Sequence, residues 1–169
     1  MSVIEVRRHA ERAGPTGAGS ALSPAGRAMA ERLALHAPRY AVVVASPLPR
    51  AKETALIIGG RLDSADPALL PDLSQLGLAG TIEEYAQLLG QERERALADE
   101  QAGAWARIAA AAGEGQALVI THGGVIELAA SQIARALGRP LRGAAFSYCE
   151  GVRIRYDAGK PAALDVLRT

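Results

Sequence analysis

The chain reads as a layered α/β protein with a largely parallel central sheet, and three observations predict it. Short β-branched runs alternate with segments of helical pattern, as where "YAVVVAS" leads straight into "PLPRAKETALIIGG". That alternation is how a parallel sheet covered by helices is written in sequence. "YAVVVAS" and "QALVIT" are continuously apolar, the mark of strands buried on both faces rather than on one. His9 and His122 each stand directly after a strand candidate, at the carboxyl ends where such sheets gather ligands.

Taken in order, residues 3–7 form a first strand, and the small residues, Gly and Pro after Arg8-His9 read as loop. A helix then starts at Leu22-Ser23-Pro24. Ser23 suits the N-cap, and Pro24 is tolerated at the first helical position because its missing N–H has no partner there. Ala28, Leu33 and Leu35 supply part of an apolar face through His36, and Pro38 ends the helix. Residues 40–46 are the second strand; a helix follows with Ser46 and Pro47 at its start and Gly59-Gly60 near its end. Residues 63–80, rich in Pro, Gly and Asp, read as loop. Thr81 and Glu84 have capping-box spacing at the head of a helix over 81–89. A further helix over 92–112 carries Gly103 as a break point. "QALVITHGG" is strand and glycine turn, and the helix over 125–137 is stopped by Gly138 and Pro140. The tail offers three short strands, "AAFSYC", "VRIRY" and "ALDVL", with Glu150-Gly151 as a hairpin turn. With no repeat and no linker, residues 1–169 make one domain.

Composition narrows the function classes. A formal net charge of +1 provides no field to draw in nucleic acid or an anionic membrane. Aromatic residues at 4% argue against base-stacking platforms. No apolar run approaches the ~20 residues of a membrane span, and charge at Glu5 argues against a secretory signal. Cys149 is the one cysteine, so neither an internal disulfide nor a cysteine metal cluster is available, which fits a cytoplasmic setting. Cys149 reads as a small core residue. Glu92 to Arg95 reads as a solvated helix face. HxxxH, HExxH, the P-loop and GxGxxG after a strand are all absent, so neither a metal nor a nucleotide cofactor is expected.

The chemistry gathers elsewhere. His9 and His122 follow strands, Arg8 precedes His9, and Arg50 lies in the first turn of the helix after another strand. A single histidine at a strand end is usually structural, but two of them with two arginines at one sheet edge suit a tetrahedral oxyanion. Arginine pairs two oxygens with one planar fork. Helix N-termini after Ser46 and Gly123 add N–H groups of the same sense, and a neutral imidazole there is competent as a nucleophile. His36, late in a helix, reads as a solvated or dipole-partnering residue.

At "RRHAER", "LSPAGRAMAERLA", "SPLPRAKETA" and "VITHGGVIEL" the chain resembles, in family order from residue 3 to about 130, the histidine phosphatase superfamily that includes the cofactor-dependent phosphoglycerate mutases. The resemblance implies a three-layer α/β/α sandwich of phosphoglycerate mutase-like type. It implies His9 as the nucleophile that becomes phosphohistidine, and Arg8, Arg50 and His122 around the phosphoryl group, with a backbone donor from Gly123. Two departures stand out: Ala10 replaces the glycine of the family's Arg-His-Gly, with a methyl that narrows the approach to phosphate. Arg7 takes a usually apolar place, set either near the pocket mouth or against Glu5. Many relatives carry a Glu as general acid in the loop after the second helix; here Asp72 of "LLPDLSQLG" is the nearest match, with Glu11 and Glu127 as alternatives, Glu11 also as an orienter of Arg8 or Arg50. The resulting expectation is a metal-independent phosphatase acting on a small phosphomonoester or a phosphorylated side chain such as phosphohistidine. The alternatives are a mutase-like phosphotransferase, for which residues 63–112 provide little cap, and a phosphate-binding regulatory module without catalysis.

Overall fold

A computed structural model describes residues 1–14, 19–74, 76–77 and 79–169. Part of the loop expected after His9 (residues 15–18) and residues 75 and 78 of the 63–80 loop therefore lie outside the described residues. The strands are β1 (Ser2–Arg8), β2 (Val42–Ala45), β3 (Ser64–Ala65), β4 (Gln116–Thr121), β5 (Gly151–Asp157) and β6 (Lys160–Leu167). The helices are α1 (Pro24–Ala34), α2 (Pro49–Gly59), α3 (Ile82–Leu88), α4 (Glu92–Ala111) and α5 (Val125–Ala136), with a 3-10 turn over Pro67–Leu69.

The six strands form one sheet in the order β3-β2-β4-β1-β5-β6. β3, β2, β4 and β1 are mutually parallel, and β5, antiparallel to both β1 and β6, alone runs opposite to the other strands. The alternation of side chains along each strand sorts the core into two layers. Ile4, Val6, Val119 and Ile154 face one way, against Trp105 and Ile108 of α4 and Ile126 and Ile133 of α5. Val43, Ala45, Leu118 and Ile120 face the other way, into the layer that holds Ala51, Ala55 and Ile58 of α2 and Ala30 of α1. The result is the expected α/β/α sandwich. Because β4 and β2 are buried on both faces, their runs are apolar without interruption.

Ser23 caps α1, its hydroxyl accepting from the N–H of Gly26 at 2.9 Å, with Pro24 at the first position. Thr81 and Glu84 close a reciprocal capping box on α3. The structure departs from expectation in five places, the first being β3 and the 3-10 turn within the 63–80 stretch read as loop. α1 stops at Ala34 and buries Gly26 and Ala30, leaving Leu35 exposed. α2 begins at Pro49, one turn after Ser46-Pro47, so Ser46 belongs to the strand end. α4 runs through Gly103 without a break; full burial of neighbouring Ala104 and Trp105 outweighs the ~1 kcal/mol a helical glycine costs. The tail holds two strands, not three: "AAFSYC" is irregular, and the hairpin turns at Ala158-Gly159, both at positive φ (46° and 76°). Two left-handed positions in a row are what a tight hairpin twisted like its strands requires, whereas Gly151 is already inside β5.

Candidate active site

β1, β4 and β2 end side by side, and their backbones remain paired one residue beyond the ladder. His9 N–H donates to the Thr121 carbonyl at 3.0 Å, and Ser46 N–H to the Ile120 carbonyl at 2.9 Å. This pairing delivers His9, His122 and Ser46 to one edge, and the first turn of α2 adds Arg50. The His9 and His122 rings lie 5.3 Å apart between centroids, with planes 60° apart. Together with Arg8 and Gly123 they line a cleft of about 540 Å³.

The hydrogen bonds around His9 define its tautomer. Nδ1 lies 2.7 Å from the Ala10 carbonyl oxygen, which can only accept, so Nδ1 carries the proton. Nε2 is then the lone-pair nitrogen, and Arg50 Nε donates to it at 3.1 Å. Thr54 ties this corner together: its hydroxyl accepts from Ala10 N–H at 3.0 Å and donates to the Arg50 carbonyl at 2.7 Å. Ala10 is fully buried in the apolar layer with Leu22, Ala51 and Ala55 and does not line the cleft. Its methyl is therefore packed away from an incoming phosphate, not toward it.

Arg8 donates from Nη1 to the Phe146 carbonyl at 2.8 Å, while its buried Nε has no partner among the described residues. Gly123 lies against this guanidinium; a Cβ there would come within 3.3 Å of both Cζ and Nε. The glycine thus makes room for Arg8, a role beyond that of backbone donor. His122 Nε2 is 2.7 Å from the Ser46 hydroxyl. Ser46, Thr54, Phe146 and Tyr148 were not singled out from sequence. Ser46 carried a usable signal, since it follows β2 as His9 follows β1.

Burial, then the charges of Arg50, Arg8 and Arg12, lower the pKa of His9 to about 4. Burial, then His9 and the two cleft arginines, lower that of His122 to about 3. Both rings are neutral at neutral pH. Their folded values lie below the unfolded value near 6.5, so the unfolded chain binds more protons and stability falls as pH drops from 6.5 toward 4 and then 3. For His9 alone the loss amounts to about 3 kcal/mol at most. Glu127, whose carboxyl burial pushes up, acts in the opposite sense. Denaturant midpoints are expected to decline between pH 7 and pH 5, above the range of ordinary carboxylates, and His122→Asn should flatten that decline. A midpoint constant across this interval would contradict the buried neutral imidazoles.

The acidic residues sort differently from expectation. Asp72 stands at the rim of the cleft, but its side chain is 70% exposed and its carboxylate accepts from Ser74 N–H at 2.9 Å. Bonding to Ser74, through its side chain first and then its N–H, and the charge of Arg93 hold it below the usual carboxylate range. Glu11 lies off the cleft and fastens the start of α1 instead, with Oε1 accepting from the Ser23 hydroxyl at 2.6 Å and its backbone carbonyl from Ser23 N–H at 2.9 Å. Glu127 does line the cleft, fully buried, with one oxygen on Gly124 N–H and the other on Phe146 N–H, each at 2.7 Å. Cys149 is buried, its thiol pushed up to about 11, and it sits in a left-handed turn (φ 64°) rather than on a strand. Among the described residues no group of three or more His, Cys, Asp and Glu is placed to hold a metal ion.

Arg50→Lys tests the contribution of the planar fork. Lysine keeps the charge but loses both the Nε bond to His9 and a two-point grip on an oxyanion. Such charge-assisted bonds are worth ~1.5–3 kcal/mol, so kcat/KM is expected to fall roughly ten- to a hundredfold. A Lys variant within twofold of the parent would take Arg50 out of substrate binding.

The fold, with its pair of histidines and pair of arginines at one sheet edge, coincides with a match to the family model of the histidine phosphatase superfamily (branch 1) over residues 5–82 and 78–167. The chain belongs to that superfamily. Its fold is similar to that of a phosphoserine phosphatase from Entamoeba histolytica solved with 3-phosphoglyceric acid (TM-score 0.72, 16% identity, covering 100% of this chain and 98% of that one). It is similar too to the alpha-ribazole phosphatase of Shigella flexneri (TM-score 0.65, 19% identity, 99% and 96%) and to a phosphoglycerate mutase from Bacillus anthracis (TM-score 0.67, 15% identity, 98% and 92%). No curated protein matches it significantly in sequence. Among the described residues no helix is long and apolar enough to cross a membrane.

Proposed function

We propose that the protein is a metal-independent phosphatase that hydrolyses a phosphomonoester, or a phosphorylated side chain, through a phosphohistidine on His9. The observation that carries this is the oriented imidazole: Nδ1 is held by the Ala10 carbonyl, and Nε2 faces the cleft between Arg8, Arg50 and His122. In the first step Nε2 forms a bond to phosphorus as the ester P–O bond breaks; its electron pair goes to the leaving oxygen, which takes a proton from water in the open cleft. In the second, water attacks phosphorus and gives up a proton to solvent, the P–Nε2 electron pair returns to His9, and inorganic phosphate leaves. Charge on the transferring oxygens is met by the two guanidiniums, which do not reorganise from solvent at the moment of reaction. The superfamily and the phosphatases among its structural relatives support this reading.

Above this polar floor the cleft is walled by Leu70, Pro71, Leu73, Ala79 and Ala145. Such a wall accommodates the carbon skeleton of a leaving group without demanding a second anionic anchor. Asp72 is exposed and bonded to Ser74 N–H, so this reading does not assign it proton donation to the leaving oxygen. Turnover of an alkyl phosphate and an activated aryl phosphate, each with and without a strong chelator, tests the reading. Activity should persist under chelation and be blocked by vanadate, an oxyanion able to take the geometry of the transferring group. Asp72→Asn should stay within about threefold of the parent on both substrates, where a general acid would cost ~100-fold on the alkyl ester. Activity lost to chelator and restored by metal would overturn the mechanism; a selective alkyl-ester defect in Asp72→Asn would restore Asp72 as the acid.

A further inference from the structure

We propose that Tyr148 is a positioning residue of this site: its ring holds the His9 imidazole and the Arg8 guanidinium in the arrangement in which they meet a phosphoryl group. The inference rests on the phosphatase reading above and adds a residue that neither the sequence motifs nor the family resemblance singles out. The ring lies 5.8 Å from the His9 ring between centroids, tilted by 44°, and 4.7 Å from the Arg8 guanidinium carbon, which stacks over its face. One partly buried side chain therefore adjoins two of the four groups on the cleft floor.

Both contacts supply what the hydrogen bonds leave undetermined. The bonds at Nδ1 and Nε2 hold two points of the imidazole but leave it free to rock about the line that joins them. A second ring packed against it limits the rocking. Arg8 is tethered through Nη1 to Phe146, with no partner for Nε among the described residues. An aromatic face beneath a guanidinium fixes its plane while leaving its remaining donors available.

Tyr148 is itself held in place. Cys149, next in the chain, adopts a left-handed conformation, donates its N–H to the Arg8 carbonyl at 3.0 Å and receives Arg7 Nη1 on its own carbonyl at 3.0 Å. Further back, the Arg168 guanidinium stacks on Phe146 and bonds the Ala144 carbonyl at 2.6 Å. The segment that carries the ring is anchored at both ends, which is what a positioning group needs.

The test compares Tyr148→Phe, Tyr148→Leu and Tyr148→Ala by steady-state turnover of an aryl phosphate and by NMR titration of His9, which requires no turnover. The groups that bear on His9 in that titration are Arg8, Arg12, Arg50, His122 and Tyr148. Phe should keep kcat within about twofold, while Leu and Ala should lower kcat at least ~tenfold with KM within about threefold, the pattern of a misaligned nucleophile. His9 should titrate near the parental value in Phe and distinctly higher in Ala, where water reaches the ring. If Ala fails to fold, Leu, which fills the space without a π face, decides. Parental kcat and His9 titration in Leu or Ala would overturn the proposal, as would a Phe variant as impaired as Ala. An inactive parent protein would sink the phosphatase reading alone, since the titration still judges Tyr148.

Discussion

His9→Ala is expected to abolish turnover, by at least about a thousandfold, while leaving a folded protein that still binds vanadate. The substitution removes the nitrogen lone pair that Arg50 faces in the cleft, and with it the proposed covalent route. Arg8 and Arg50 remain, so the positive pocket persists. Rapid quench with labelled substrate should trap an acid-labile, base-stable phosphoryl group on the parent and none on the variant. The variant should also be at least as stable as the parent at pH 5, because it no longer keeps that imidazole neutral below its ordinary pKa. Residual turnover within tenfold of the parent would show that another group carries the phosphoryl.

The largest effect on stability is expected further back along the same strand. Glu5 is 1% exposed and accepts from Arg7 Nε at 3.0 Å, Arg153 at 2.6 Å, the Tyr40 hydroxyl at 2.9 Å and Gln116 Nε2 at 2.9 Å. Burial pushes its carboxyl up, but Arg7, Arg153 and Tyr40 overcome that and hold it below the ordinary range. Glu5→Gln keeps the shape, removes the charge and leaves Arg7 buried beside an uncharged amide. Breaking a buried pair by removing one partner costs ~3–5 kcal/mol, which in a domain of this size lowers Tm by roughly 10–15 °C. Arg153, whose side chain is 41% exposed, is different: Arg153→Ala should cost no more than about 1 kcal/mol. Equal losses for the two variants in thermal denaturation would mean that Glu5 is not the hub of the cluster.

This cluster also shows where sequence reading reached its limit. The alternation of strands and helices, the capping residues Ser23, Thr81 and Glu84, and the placing of His9, His122, Arg8 and Arg50 at one sheet edge were legible because each depends on local pattern or on the rule that parallel strands end together. Which way Arg7 points was left open between the pocket mouth and Glu5. The strand's alternation decides it: Arg7 shares its face with Glu5 and turns away from the cleft. Asp72 follows from the family resemblance and Glu11 from its nearness to His9 in sequence, and neither ground contains the surroundings of the carboxylate. Solvation around Asp72 and the Ser23 hydroxyl beside Glu11 are properties of packing. Residues 144–149 were read as a strand because the composition is apolar and aromatic; Arg8, Glu127 and Arg168 instead recruit its backbone groups one at a time. Tyr148 was invisible for the same reason, since its partners lie about 140 residues earlier in the chain.

That recruitment has a kinetic consequence. Residues 145–149 belong to no helix or ladder, yet Ala145 N–H is bonded to the Gly80 carbonyl, Phe146 N–H to Glu127, Ser147 N–H to Glu150 and Cys149 N–H to the Arg8 carbonyl. Amides in irregular surface segments normally exchange with solvent through small local openings. Here the Cys149 amide cannot open without releasing the end of β1, and the Phe146 amide cannot open without disturbing the start of α5. In deuterium oxide these two amides should therefore retain protium on the timescale of the central strands, long after the amides of the Ala158-Gly159 turn have exchanged.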